Sequence, residues 1–133
     1  MAALSMAMLS YGVFKSEKQL DKILEANNQG LDLFTLHPQL SSHFSYIDTE
    51  YRSEIYGNDP KLTLEEIQGK IDNDRPVLIG TQNYGGFLAH ALLIIGYTDD
   101  DTVLIIDPWV GSIKEIEHKE LVNYWVETII FNS

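Results

Sequence analysis

The 133-residue chain has no cysteine. That excludes disulfides and thiolate metal sites, and it leaves the compartment open, because a cytosolic or an exported chain can lack cysteine equally. The chain is also poor in positive charge: nine Lys and Arg stand against twenty Asp and Glu, a formal net charge of −11. Such a surface repels phosphate backbones and anionic lipid, so neither nucleic acid nor a membrane surface is an expected partner. Long apolar runs are missing as well. The longest, such as residues 91–95, fall far short of a bilayer span, and no positively charged segment precedes the apolar N-terminal residues. The expectation is a chain without signal peptide or anchor, cytoplasmic by default, or exported if further residues precede it. No repeat and no low-complexity tract suggests a solenoid or disorder.

What is present is an ordinary globular composition, 44% hydrophobic and 22% charged. A chain of this length buries enough surface for a core without staples, so one domain over residues 1–133 is expected. The first part reads as helical. "AALSMAMLSYG" is rich in helix formers and apolar on nearly every side, which predicts a buried helix ending at Gly12. Ser16 with Gln19 has capping-box spacing before the apolar face of Leu20, Ile23 and Leu24, and Asn27, Asn28 and Gly30 stop that helix. Residues 31–40 suggest a third helix broken by Pro38. Residues 42–56 interleave aromatic and polar groups and read as strand or extended loop. Thr63 with Glu66 repeats the capping-box spacing ahead of Leu64, Ile67 and Ile71.

From Pro76 onward the chain turns extended. Residues 76–81, 88–97, 102–107, 112–116 and 126–131 read as strands, and residues 118–124 as a helical turn. Helices over about 1–75 followed by antiparallel strands over about 76–133 predict an α+β fold.

Two groups stand out in the apolar runs "LAHALLIIGY" and "TVLIIDPW". Burying an unpaired imidazole or carboxylate costs several kcal/mol, so His90 and Asp107 are expected to be partners. A hairpin turning at residues 99–101 would bring them to the same height on paired strands. An imidazole whose Nδ1–H donates to a carboxylate is held in one tautomer, with Nε2 left to take a proton from a nucleophile. A structural His–Asp pair satisfies the same spacing.

"RPVLIGTQ", "AHALLIIGY" and "VLIIDPWVG" resemble the histidine and aspartate strands of the papain-like cysteine peptidases, specifically the compact bacterial group that includes the peptidases trimming double-glycine leaders from bacteriocins. "AALSMAMLSYG" resembles that group's first helix, and "LTLEEIQGKIDNDRPVLIG" the helix and strand leading to the histidine. The resemblance implies a papain-like fold, with N-terminal helices packed on a twisted antiparallel sheet and a groove between them. It implies peptide-bond hydrolysis by acyl transfer on a peptide or protein substrate, with no cofactor, with His90 as general base and Asp107 as its orienting partner. Tyr84, Gly85 and Gly86 would form a lip of the substrate groove and Trp109 would line it; an ordinary glycine-rich hairpin loop and a core tryptophan are the competing readings.

The resemblance also implies a cysteine at the N-terminus of the first helix, where the helix dipole and an imidazolium lower a thiol pKa. Here the chain departs from the family. Met1 stands where a tryptophan follows that cysteine, so the cysteine falls just before the first residue, and the oxyanion-stabilising glutamine upstream of it is missing too. Gln82 precedes the histidine strand and is not its counterpart. Ser5 and Ser10 are poor substitutes, lying inside a buried helix and away from its end. The chain is expected to be either a segment of an active peptidase that begins past the cysteine, or a pseudopeptidase that keeps the fold and holds a partner without cutting it. A metal site is not expected, since His37, His43 and His118 have no ligand spacing. The run Asp99, Asp100, Asp101 lacks the alternating ligands of a calcium loop.

Overall fold

The apolar runs of the second half pair into one sheet that the helices cover on both faces. The structure, a computed structural model, describes residues 2–11, 18–20, 33–107 and 111–132. Its strands are β1 (Thr49–Ser53), β2 (Val77–Tyr84), β3 (Phe87–Tyr97), β4 (Thr102–Asp107), β5 (Ser112–Glu117) and β6 (Trp125–Phe131). They stand in the order β1-β6-β2-β3-β4-β5, each neighbouring pair antiparallel. The helices are α1 (Ala2–Met8), running into a 3-10 turn (Leu9–Tyr11), α2 (Leu33–His43), α3 (Leu64–Asp72) and α4 (His118–Leu121).

Alternation along the strands divides the core in two. Leu78, Leu93, Ile129 and Phe131 point to a first face, where Leu4, Ala7 and Met8 of α1 and Leu33, Leu36 and Leu40 of α2 pack on them. Val77, Ile79, Leu92, Ile94 and Ile105 point to a second face with Ile67 of α3, Leu121 of α4 and Trp125. Burial on both faces explains why the central strands read as nearly unbroken apolar runs. It also explains why helices as short as α1 and α4 persist: isolated helices under about 12 residues are marginal in water, and these are held by what they bury.

The five expected strands and the α+β fold class are observed. The Thr63 capping box forms as the spacing requires, with Glu66 N–H donating to Thr63 Oγ1 and Thr63 N–H to Glu66 Oε1, both at 3.1 Å. One local expectation is corrected. Pro38 does not break its helix: α2 continues through it to His43, because Leu33, Leu36 and Leu40 at helical spacing bury one face and outweigh the lost backbone bond. Within residues 42–56, read as strand or extended loop, β1 is a strand and adds to the sheet beside β6. The Ser16 cap, Gly12 and the end of the second helix at Asn27, Asn28 and Gly30 lie outside the described residues; residues 18–20 are helical. Among the described residues no helix is long and apolar enough to cross a membrane.

Candidate active site

His90 lies on β3, paired with Thr81 of β2, whose Oγ1 donates to the His90 carbonyl at 2.9 Å. Whether Asp107 of β4 can reach it depends on register. Near the turn, Tyr97 pairs with Val103 and Gly96 with Leu104; after a β-bulge, Ile94 pairs with Ile105 and Leu93 with Ile106. The bulge absorbs one residue of β3. Continued without it, the register of the turn would set His90 and Asp107 on opposite faces, since a one-residue slip exchanges the faces. With it, Asp107 stands beside Leu92, and His90 and Asp107 become diagonal neighbours on the second face.

The pair is therefore diagonal, not level as the symmetric hairpin predicts, and this decides which ring nitrogen is used. The carboxylate, reaching from two residues along, meets the far end of the imidazole: His90 Nε2–H donates to Asp107 Oδ1 at 2.7 Å. The expected roles of the two nitrogens are thus exchanged, and in the neutral ring the basic lone pair is on Nδ1. Both side chains are nearly buried, 12% and 11% exposed, so the bond forms in a medium where charge and hydrogen bonding reinforce each other.

A second bulge, between Gly80 and Thr81 where β2 meets β6, pairs Thr81 with Trp125 and turns the indole to the same face. Trp125 is core: it is buried, and its Nε1–H donates to Thr128 Oγ1 at 2.5 Å, which in turn donates to the Pro60 carbonyl at 2.6 Å. Tyr84 lies at the open end of this row. Asn83 just before it has φ 62°, a left-handed residue that interrupts the alternation, and Tyr84 packs against the second-face core. Its ring meets Tyr124 edge-on at 5.5 Å. Burial, and the negative charge of Asp107 after it, raise the Tyr84 phenol above its ordinary range.

Gly85 and Gly86 form the two-residue turn between β2 and β3. Both have positive φ, 61° and 83°, the conformation of a type I′ turn that glycine adopts without strain. They are exposed at the tip of the hairpin, Gly86 four positions before His90. Trp109 lies outside the described residues. So does Met1, just ahead of which the resemblance puts the cysteine; α1 packs with the first-face core. Tyr124 is a neighbour that sequence reading missed, because only the return of the chain to β6 sets it beside Tyr84. The remaining described histidines are engaged elsewhere or exposed: His37 Nδ1 shares a hydrogen bond of 2.8 Å with Thr49 Oγ1, and His118 Nε2–H donates to the Leu62 carbonyl at 2.7 Å.

The family model described as "Peptidase_C39 like family" matches residues 1–129. A search of curated proteins gives no match. Among solved structures, the chain is similar to the peptidase domain of Streptococcus ComA, a bi-functional ABC transporter involved in a quorum sensing pathway. The TM-score is 0.66 at 15% identity, covering 97% of this chain and 86% of that one. At such identity the likeness speaks for the fold, while the family match spans nearly the whole chain. The protein belongs to the Peptidase_C39 like family, and its α+β fold is that of a papain-like cysteine peptidase.

Proposed function

We propose that this chain carries the base half of an acyl-transfer site, with His90 as general base and Asp107 as the group that orients it, and that these 133 residues, which include no cysteine, do not hydrolyse peptide bonds unaided. The observation that supports this is the Nε2–Oδ1 bond of 2.7 Å between two nearly buried side chains. A carboxylate on Nε2 fixes the ring and stabilises the imidazolium that forms when Nδ1 takes a proton. In the complete reaction a thiol gives its proton to Nδ1, the thiolate attacks the peptide carbonyl, the imidazolium protonates the leaving amine, and water activated by the same ring then hydrolyses the thioester to release the acid and restore the thiol. A peptide or protein would lie along the rim formed by Tyr84, Gly85 and Gly86.

The second reading is a domain that binds such a peptide without cutting it, and the missing thiol favours it. One experiment separates the two. The 133-residue chain is expected to leave peptides intact; cleavage abolished by His90→Ala would overturn the proposal. An extension placing Gln and Cys at the family's positions ahead of Met1 is then expected to give a thiol that is alkylated rapidly at neutral pH, more slowly in His90→Ala. A folded extended chain whose thiol is no more reactive than a free one would favour the binding-only reading.

A further inference from the structure

Away from His90, the first face carries a second aromatic group. Phe34 of α2 stacks on Tyr56, which follows β1, with centroids 4.8 Å apart and planes at 13°. Tyr51 of β1 meets both edge-on, at 5.7 and 6.2 Å. Its hydroxyl donates to Glu127 Oε2 of β6 at 2.8 Å. The outer rings stay in water despite these contacts: Phe34 is 50% exposed and Tyr56 54%, and Ile55 beside Tyr56 is 87% exposed. One exposed aromatic needs no explanation, but a contiguous stacked group marks a contact surface.

Charge decides what fits it. The chain as a whole carries −11, and the cations flanking the group are already matched by carboxylates: Arg52 by Glu50 at 2.5 Å and Glu66 at 3.7 Å, Lys61 by Glu54 at 3.0 Å. Glu127 adds a carboxylate at the Tyr51 end. Aromatic faces beside excess negative charge attract a cation through the ring quadrupole as well as the net field. We infer that Phe34, Tyr56 and Tyr51, with Glu127 at one end, form a binding site for a cationic side chain, the lysine or arginine of a basic peptide. Burial first, and the bond to Glu127 second, push the Tyr51 phenol up to about 12, so it keeps donating to the carboxylate and holds the site's shape at any physiological pH. The site uses neither His90 nor Asp107, and its failure would leave their reading untouched.

The test titrates the 133-residue protein with a lysine-rich peptide and with the same peptide carrying norleucine for lysine, following ring proton shifts by NMR. The lysine peptide is expected to bind, with shifts concentrated on Phe34 and Tyr56. Affinity is expected to fall about fivefold or more in Phe34→Leu/Tyr56→Leu, which keeps apolar bulk and removes the π faces. It is expected to fall also in Glu127→Gln, which keeps an acceptor for Tyr51. Absence of binding, equal binding by the leucine variant, or shifts scattered over the acidic surface would overturn the site; equal binding of the norleucine peptide would make it an apolar docking patch and overturn the cationic assignment. Tetramethylammonium shifts on the unsubstituted protein keep the test decisive if the leucine variant does not fold.

Discussion

His90 and Asp107 join β3 to β4 on the second face at 2.7 Å, and Tyr51 and Glu127 join β1 to β6 on the first at 2.8 Å. The two bonds are nearly equal in length and both link a side chain to a carboxylate across neighbouring strands. They differ in what the donor can become. An imidazole has a second nitrogen to take a proton, and it can carry the resulting charge against Asp107. The Tyr51 phenol, held to about 12 by burial and by Glu127, does nothing but donate below alkaline pH. Burial differs too: the imidazole pair is almost closed off from water, while Tyr51 borders the exposed Phe34 and Tyr56 rings. The difference teaches that a cross-strand carboxylate bond is not itself a sign of chemistry; the sign is a donor with a second proton site, placed where water is mostly excluded.

The largest effect is expected at the closed pair. Asp107→Ala leaves the His90 ring without its acceptor in a nearly buried place and should cost about 2–3 kcal/mol. Asp107→Asn keeps an oxygen for Nε2–H and should cost less than half of that. Urea denaturation of both variants measures this, and equal losses would mean that the hydrogen bond contributes little and the pair is held by its packing.

Gly80 sharpens the first-face pair. A Cβ built there meets Glu127 Cγ at 2.5 Å and Oε1 at 2.8 Å, so Gly80→Ala must push Glu127 from Tyr51, at about 1–2 kcal/mol. Gly80→Ala combined with Glu127→Ala should cost clearly less than the sum of the two, because the clash is gone. Additive losses would place the strain in the β2 backbone.

The smallest effect belongs to Tyr51→Phe, about 1 kcal/mol for one partly solvated bond. Its sign with pH is definite. The phenol ionises near 10 in the unfolded chain and near 12 in the folded one, so the unfolded state loses its proton first. The stabilisation is fully present below about pH 10 and is lost as pH rises toward about 12. Tyr51→Phe should flatten the alkaline fall in melting temperature; an unchanged slope would assign that fall to the other tyrosines.

Much of this was readable in the chain. The capping box at Thr63 works as written because it is a local exchange of two hydrogen bonds. The five strands follow from apolar runs between turn residues, and His90 and Asp107 stand out because nothing else polar interrupts theirs. Pro38 misleads, since the weight of three buried leucines in α2 is a property of the packed helix. Tyr124 and the aromatic group of Phe34, Tyr51 and Tyr56 carry no sequence signal, being assembled from segments far apart in the chain.

By itself the sequence determined the elements, the absence of a thiol and the partnership of one histidine with one aspartate, because propensity, capping and the cost of burying lone polar groups act locally. The tertiary structure decided which face the partners share and which nitrogen meets the carboxylate. Both hang on the bulge between Ile94 and Gly96. A bulge is an adjustment of register between two strands that must each bury their own apolar faces, and no count of residues between His90 and Asp107 contains it.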